Sequence, residues 1–333
     1  MEIVNDNIYV IPKRRKTVAE IFLHNRQILP LAQSNGCSVY RLRNESGDGT
    51  ITLYEVFPGV MVGYNDFHMQ CYESDLVMKG DMFCIDHCRE GRMEYMAGER
   101  SYSYVEAGDI KLDRRLTHTG HFEFPLSHYH GVMVSFDMAV APEALKEVVK
   151  DFPVDLRKIQ QKFCPDKYPR VIRGLSSVAH IFAELYAVPE KIKMPYFKLK
   201  ALELLLFLEA LEVDEETEKR PYFYKTQVEK IKSMQKFLAE HMEQSFTQAE
   251  LAERFDISLT TMKKCFKSVY GTTIGNWLLQ YRMNQAAVML RQNREQSITQ
   301  IAGKVGYESS SKFASAFRKV MGMSPMEYRS QIR

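Results

Sequence analysis

Two groups of side chains in this chain have the types and spacing that chemistry needs. Late in the sequence, Thr260, Lys263, Lys264 and Lys267 recur three and four residues apart, and Ser310, Ser311, Lys312, Ser315 and Lys319 repeat the arrangement further on. Residues at that spacing share one face of a helix. Short hydroxyls and amines on an exposed helix face suit base edges and phosphates. Earlier, His118, His121, His128 and His130 lie close in sequence, and Cys84 and Cys88 flank His87. His128 and His130 alternate, so on a strand they face one side. Imidazole and carboxylate sets bind transition metals. However, the His-x-His here runs into Gly131-Val132-Met133-Val134, with no carboxylate before Asp137. Locally satisfied histidines are the simpler reading, so no metal and no cofactor are assigned. Cys84 and Cys88 read as buried thiols rather than a redox pair. Arg89 and Arg92 flank Gly91, and an arginine pair at a strand end can clamp a carboxylate or phosphate. With His130 they are the candidate effector-binding residues. Surface arginines in salt bridges are the alternative.

The late cluster needs two helices of the same kind, and the sequence supplies them as a repeat. The segment 247–271 resembles the segment 298–322: Leu251-Ala252 matches Ile301-Ala302, Phe266-Lys267 matches Phe317-Arg318, and Gly271 matches Gly322. Each reads as helix, turn, helix. Ala252 and Ala302 are small where helices would cross, Asp256 and Gly306 fall in the turns, and Ser258 and Ser309 are placed as N-caps. Met262, Phe266 and Val269, and then Phe313, Phe317 and Val320, face inward. Ile274, Trp277, Leu278, Tyr281, Ala286 and Leu290 predict one continuous helix joining the two units. Val228, Ile231, Leu238 and Met242 mark a supporting helix before them. Two such hairpins in tandem, both with basic outer faces, argue against ordinary solvated helical hairpins.

The first part is built differently. Up to about Met138 short aromatic and β-branched runs, such as 50–57 and 131–137, alternate with turn signals at Gly47-Asp48-Gly49, Gly80-Asp81 and Gly108-Asp109. That pattern favours a β-sandwich or barrel. Pro142-Glu143 opens a helical region, with longer helices expected over 169–188 and 195–213. The last is apolar around most of its circumference, so it is either buried in the core or half of a dimer interface. The charged stretch 214–225, broken by Pro221, reads as a linker. The expected organisation is therefore 1–213 as a sensing and dimerising domain (β-rich over 1–140, helical over 141–213), then 214–225, then 226–333 as the DNA-binding domain.

Charge follows the same division. The chain carries 45 Lys+Arg and 42 Asp+Glu, a net +3. Residues 221–333 hold 17 basic and 9 acidic side chains, a balance of +8, which leaves −5 for the rest. A basic segment suggests a polyanionic partner. At 45% hydrophobic and 26% charged, the 333 residues suit two packed domains and exclude a disordered or collagen-like chain. The apolar run 204–208 is too short to cross a bilayer, the first residues do not read as a secretory signal, and six irregularly spaced cysteines do not form a disulfide scaffold. A cytoplasmic location is expected.

Residues 226–333 resemble the DNA-binding domain of AraC/XylS-family transcription regulators. The resemblance rests on the run 297–329, with its I-A-x-x-V-G-Y, its F-R-K and its G-M-S-P-x-E-Y-R, supported by L-A-E-R-F-D-I-S and by Tyr281-Arg282-M-N-Q-A-A-V-M-L290. It covers about a third of the chain. It implies two recognition helices entering successive major-groove segments. In that reading Thr260, Lys263 and Lys264 lie at or near the bases in one helix, and Ser311, Lys312 and Ser315 are their counterparts in the other. A departure is that these positions lack Arg and Gln, the residues best suited to bidentate base reading. More weakly, the stretches 85–96, 105–112 and 122–131 resemble the cupin-like effector domain of the same family. The implied protein is α+β and multidomain: an N-terminal cupin-like β-barrel followed by helices, then an all-α tandem helix-turn-helix domain. It implies a regulator, an activator controlled by a small-molecule effector, homodimeric through helix 195–213, with duplex DNA and RNA polymerase as partners and no membrane. It implies no enzyme. The competing readings are a metal-dependent cupin enzyme fused to a DNA-binding module and a repair methyltransferase fused to one. The second needs an activated cysteine, and Cys265 falls inside a recognition helix.

Overall fold

The computed structural model describes residues 28–34, 36–76, 80–116, 118–166, 168–174, 176–212, 222–293 and 295–330. Most of the expected linker, 214–221, lies outside the described residues, as do the first residues of the chain. The rest forms two compact units. One takes the residues up to Gly91 together with those from Ala107 to 212, and the other takes Arg92–Glu106 with those from 222 onward.

The first unit is antiparallel sheet followed by helices. Its strands are β1 (Ile28–Ser34), β2 (Cys37–Asn44), β3 (Gly47–Phe57), β4 (Val60–His68), β5 (Cys71–Leu76), the first part of β6 (Met82–Gly98), then, past β7 (Ser101–Glu106), β8 (Ile110–Arg115), β9 (His118–Glu123) and β10 (Tyr129–Asp137). Hydrogen-bonded neighbours run β1-β2-β3-β4-β10-β6, β8 lies on the other edge of β6, and β5 pairs with β9. Helices α1 (Ala141–Val148) and α2 (Leu156–Phe163), strand β11 (Arg170–Ile172) on β8, and helices α3 (Ser176–Tyr186) and α4 (Lys193–Ala210) complete it. The alternation is of period two. Val60 and Val62, Phe83 and Ile85, Ile110 and Leu112, and Val132 and Val134 turn one face into a core with the helices.

The opposite alternation holds a surprise. Asp86 on β6 and Lys111 on β8, both buried, form a quartet of charges with the partly buried Asp113 and Arg115 of β8. Lys111 Nζ is 3.1 Å from Asp86 Oδ2 and 2.7 Å from Asp113 Oδ2, Arg115 Nε is 3.1 Å from Asp113, and Arg115 also pairs with Asp86. Burial pushes the Asp113 carboxyl up, but Arg115 and Lys111 overcome it and hold the group at about 2.

Three expectations need correction. Gly47-Asp48-Gly49 is the start of β3 rather than a turn, because the turn closes one step earlier and Asn44 pairs with Gly47. The helix expected from Pro169 begins only at Ser176, since Val171 and its neighbours extend β8 as β11. A helix over Leu156–Phe163, capped by the Asp155 side chain on the Arg157 and Lys158 amides, was not foreseen. The helix expected over 195–213 is α4. Phe197, Ala201, Leu204, Leu205 and Leu208 are buried in the core, whereas Leu199 and Leu206 are exposed.

The second unit is mostly helical: β12 (Phe223–Tyr224), α5 (Lys225–Glu240), α6 (Gln248–Arg254), α7 (Leu259–Tyr270), α8 (Ile274–Gln292), α9 (Ile298–Lys304), α10 (Ser310–Met321) and α11 (Pro325–Ser330). It also contains a β-hairpin from far upstream, the end of β6 from Arg92 paired with β7. β12 adds to that hairpin, Phe223 opposite Tyr102. The sequence reading left 92–106 in the front domain and 222–225 in a linker. The structure puts both in this unit, because Tyr104 and Phe223 are buried in its first core.

Candidate nucleic-acid interface

Two cores hold the two helix-turn-helix units, one built on Val228, Ile231, Leu251, Met262, Phe266 and Val269, the other on Ile301, Ala302, Val305, Phe313 and Phe317. Helix α8 belongs to both. Ile274 and Trp277 pack in the first core, and Met283, Ala286, Ala287 and Leu290 in the second. As one uninterrupted helix of 19 residues, it spans roughly 28 Å at 1.5 Å per residue. That is a rigid spacer of about the length of one DNA turn.

The local chemistry repeats as faithfully as the sequence. Thr247 and Glu250 form a capping box at α6, with Thr247 N donating to Glu250 Oε2 at 2.7 Å and Glu250 N to Thr247 Oγ1 at 3.2 Å. Thr247 N and the Thr247 hydroxyl, the latter at 2.9 Å, both donate to Glu250 Oε2 and hold the Glu250 carboxyl below its ordinary range. Ser297 and Gln300 repeat the box at α9. Ser258 accepts from Thr261 N at 3.2 Å and Ser309 from Lys312 N at 3.4 Å, which caps α7 and α10 as expected. Asp256 turns with φ +45° and Gly306 with φ +80°. Lys230 Nζ ties down the first turn through Asp256 Oδ2 at 2.8 Å. Arg282 on α8 donates to the Met242 and Gln244 carbonyls at 2.6 and 2.7 Å, fixing the connecting helix to the loop after α5.

These cores and caps turn one face of α7 and of α10 outward. Thr260, Lys263, Lys264 and Lys267 are exposed on α7, and Ser311, Lys312, Ser315 and Lys319 on α10, with Ser310 half-buried at its start. Arg318 belongs with them and was missed. It is exposed on α10, 3.6 Å from Glu327. The signal was present in the repeat, because Phe266-Lys267 aligns with Phe317-Arg318 and so Arg318 is the counterpart of Lys267. Cys265 faces the other way. It is fully buried, and burial, reinforced by Glu94 and opposed by Lys232, pushes its thiol up to about 12. That is the wrong state for a nucleophile.

The candidate effector residues do not form one group. Arg89 is half-exposed, 3.5 Å from Glu90, with its guanidinium 4.7 Å over the Tyr186 ring. His130 contacts Asp66 on the neighbouring strand β4. Arg92 falls in the second unit and is 3% exposed. Its Nε donates to the Ser268 carbonyl at 3.0 Å, and its Nη2 pairs with Glu106 at 2.9 Å. Its charge therefore sits at the C-terminal end of α7, where a helix favours cations. Of the other flagged ligands, the His118 side chain lies outside the described residues. His121 sits between Glu73 and Glu123; burial lowers its pKa, but the two carboxylates outweigh that and raise it. His87 stacks on Phe182 at 4.3 Å, and burial brings it down to about 4. Cys84 and Cys88 are buried thiols, and Cys88 Sγ lies 3.5 Å from the Glu90 carbonyl.

Residues 251–331 match the family described as a helix-turn-helix domain. Over 104 residues the chain is 31% identical to the HTH-type transcriptional activator RhaR of Mannheimia succiniciproducens, covering 31% of this chain and 37% of that one. Over 99 residues it is 32% identical to the melibiose operon regulatory protein of Escherichia coli, covering 30% of this chain and 32% of that one. The matched stretch thus spans about a third of these curated relatives. The solved C-terminal domain of AraT, a response regulator from Geobacillus stearothermophilus, is 30% identical over 31% of this chain and 84% of that chain, with a TM-score of 0.30. The C-terminal segment is an AraC-type helix-turn-helix domain. The relatives named here are regulators rather than enzymes. Among the described residues, no helix is long and apolar enough to cross a membrane.

Proposed function

We propose that the chain is a sequence-specific transcription regulator, an activator that grips duplex DNA with α7 and α10 and answers to an effector held by the first unit, which would be the cupin-like sensor. The observation that supports this most is the pair of capped, basic recognition helices joined by α8. In this reading the nine residues named on α7 and α10, together with Arg318, contact DNA. Thr260, Lys264, Ser311 and Ser315 lie toward the bases, and Lys267, Arg318 and Lys319 toward phosphates. The protein acts in the cytoplasm, as a homodimer joined along the exposed Leu199 and Leu206 of α4, with RNA polymerase as its further partner.

β6 supplies a route for control. One strand pairs with β10 up to Gly91 and continues as the hairpin whose Arg92 holds the end of α7. An effector that favours one arrangement of β6 biases the recognition helix by as much as its affinities for the two arrangements differ. The test is binding of the full chain to labelled duplex from upstream of its own and neighbouring genes, against a scrambled duplex, across a salt series. Preferential binding that weakens steeply with salt is expected. Equal binding to both duplexes, with and without extracts of candidate effectors, refutes sequence-specific regulation.

A further inference from the structure

The strongest uncommitted chemistry lies on one face of β4 and β10. These strands are antiparallel, with His130 opposite Asp66 and Tyr129 opposite Phe67. Continuing the register by one step brings His128 to His68. Side chains alternate along each strand. Phe67 and Tyr129 therefore point into an aromatic core, where they stack at 6.2 Å. Asp66, His68, His128 and His130 all point the other way, as a two-by-two patch. The ring centroids are 4.5 Å apart for His128 and His130, 5.1 Å for His68 and His128, and 5.5 Å for His68 and His130. One ring nitrogen from each of the three lies within 4.8 Å of the other two. His68 Nε2 is 3.0 Å from Asp66 Oδ1, and His130 Nε2 meets the same oxygen. A further carboxylate, Glu90 on β6, is 3.6 Å from His128 Nε2.

We propose that His68, His128 and His130, with Asp66, form a site for a divalent transition-metal ion, zinc first. Around a tetrahedral ion at 2.0–2.1 Å the ligand nitrogens stand about 3.4 Å apart. The ring nitrogens, within 4.8 Å of one another, stand about an ångström beyond that spacing. His68 and His130 already meet the Asp66 carboxylate and His128 faces Glu90, the kind of environment in which a metal-bound imidazole is oriented. The donor set is three borderline nitrogens and one oxygen with no thiolate, which favours zinc, nickel or copper over calcium or magnesium. His68 is 59% exposed while His128 and His130 are 28% and 29% exposed, so the ion enters from solvent and finds two ligands held by packing. The arrangement is Asp-x-His on one strand facing His-x-His on another. It differs from the His-x-His with a following Glu and a later His expected of a cupin enzyme. Bound there, the ion cross-links β4 to β10 next to Glu90 and Gly91, where β6 leaves the sheet for the hairpin on α7. The site thus names a ligand class for the first unit, and only its regulatory consequence rests on the function proposed above.

The test is titration of the metal-free full chain with zinc in the absence of DNA, by calorimetry and by competition with a chromophoric chelator. Cobalt substitution serves as a spectroscopic check. We expect one equivalent per chain, a visible cobalt band of tetrahedral intensity, and loss of at least ~100-fold in affinity for His128→Ala with His130→Ala, since even outer partners of a ligand are worth 10–100-fold. Asp66→Asn should weaken zinc by ~10-fold or more. The variants' unchanged melting in chelator shows that they fold. No binding, or binding unaffected by the double variant, overturns the proposal. Either result leaves the DNA assay above untouched, so failure of the metal site and failure of the regulator are told apart.

Discussion

Arg92 offers a sharp test of how the hairpin serves the recognition helix. Replacing it with Met keeps the apolar stem and deletes the guanidinium. Several interactions go with it, the approach to the Tyr104 ring at 6.0 Å among them, and the following set the scale. The bond from Nε to the Ser268 carbonyl involves a charged donor, a kind that contributes about 1.5–3 kcal/mol. The favourable placement of a cation at the end of α7 adds about 0.3–1 kcal/mol. The pair with Glu106 adds little, about 0–1 kcal/mol, because that carboxylate is 48% exposed and can return to water. Against these stands the relief of no longer burying a guanidinium in a site where its side chain is 4% exposed. The net loss is then about 2 kcal/mol. For a unit of this size that amounts to a fall of roughly 8 °C in melting temperature.

The assay is urea unfolding with hydrogen exchange read at the last turn of α7. Arg92→Met should lose protection there and weaken DNA binding, whereas Arg41→Met, which breaks an exposed pair with Asp48, should shift stability by less than about 0.5 kcal/mol. Arg92→Lys should recover only part of the loss, because an ammonium keeps the charge without the planar fork. If Arg92→Met unfolds like Arg41→Met and α7 keeps its protection, the guanidinium does not hold the recognition helix, and the coupling route through β6 fails with it.

Three further outcomes follow from the same geometry. Gly306 and Gly322 both have positive φ, but a Cβ on Gly306 would lie 2.7 Å from the Glu243 carbonyl oxygen while one on Gly322 meets nothing within 4 Å. Gly322→Ala should therefore cost about 1 kcal/mol, and Gly306→Ala about 2–4 kcal/mol, by denaturant unfolding. Lys263→Ala and Lys312→Ala should each weaken DNA binding and reduce the salt slope by about 1 if they neutralise phosphates; loss confined to one half-site sequence would instead mark them as base readers. The Asp113 carboxyl is held at about 2 in the fold, below the ~3.9 of an unfolded aspartate. Its contribution is therefore present above pH ~4 and is lost as pH falls from there toward 2. Asp113→Asn should lower stability at neutral pH and flatten that acid limb, and an unchanged limb would deny the carboxylate its role.

What the sequence disclosed and what it hid divide along range. The tandem helices were legible because their determinants are local. A serine at the start of α7 and of α10 caps amides within its own first turn, a glycine ends each helix, and apolar residues recur at helical spacing. The charged quartet was not legible. Lys111, Asp113 and Arg115 alternate like any solvent-facing strand, and only the pairing of β6 with β8 brings them together with Asp86. The histidine patch was half visible. His128 and His130 showed their shared face, but Asp66 and His68 are brought beside them by the register of β4. Arg89 and Arg92 looked like a pair because they flank one glycine, yet that glycine is where the strand changes company.

Gly91 explains why. Its φ is +86°, and a Cβ there would fall 2.0 Å from the His128 carbonyl oxygen. The backbone of β6 presses against the segment carrying His128 and His130 just before it departs as the hairpin. Movement of His128 is therefore felt at Gly91 sterically, without an intervening side chain. Glu90 precedes this close approach directly, and Arg92, whose guanidinium meets the end of α7, follows it directly. A ligand gathering His128 and His130 would bind beside this close approach. Any shift a ligand there produces is limited by the difference in its affinity for the states it connects, which makes the His128–Gly91 contact the place to look for a change on loading.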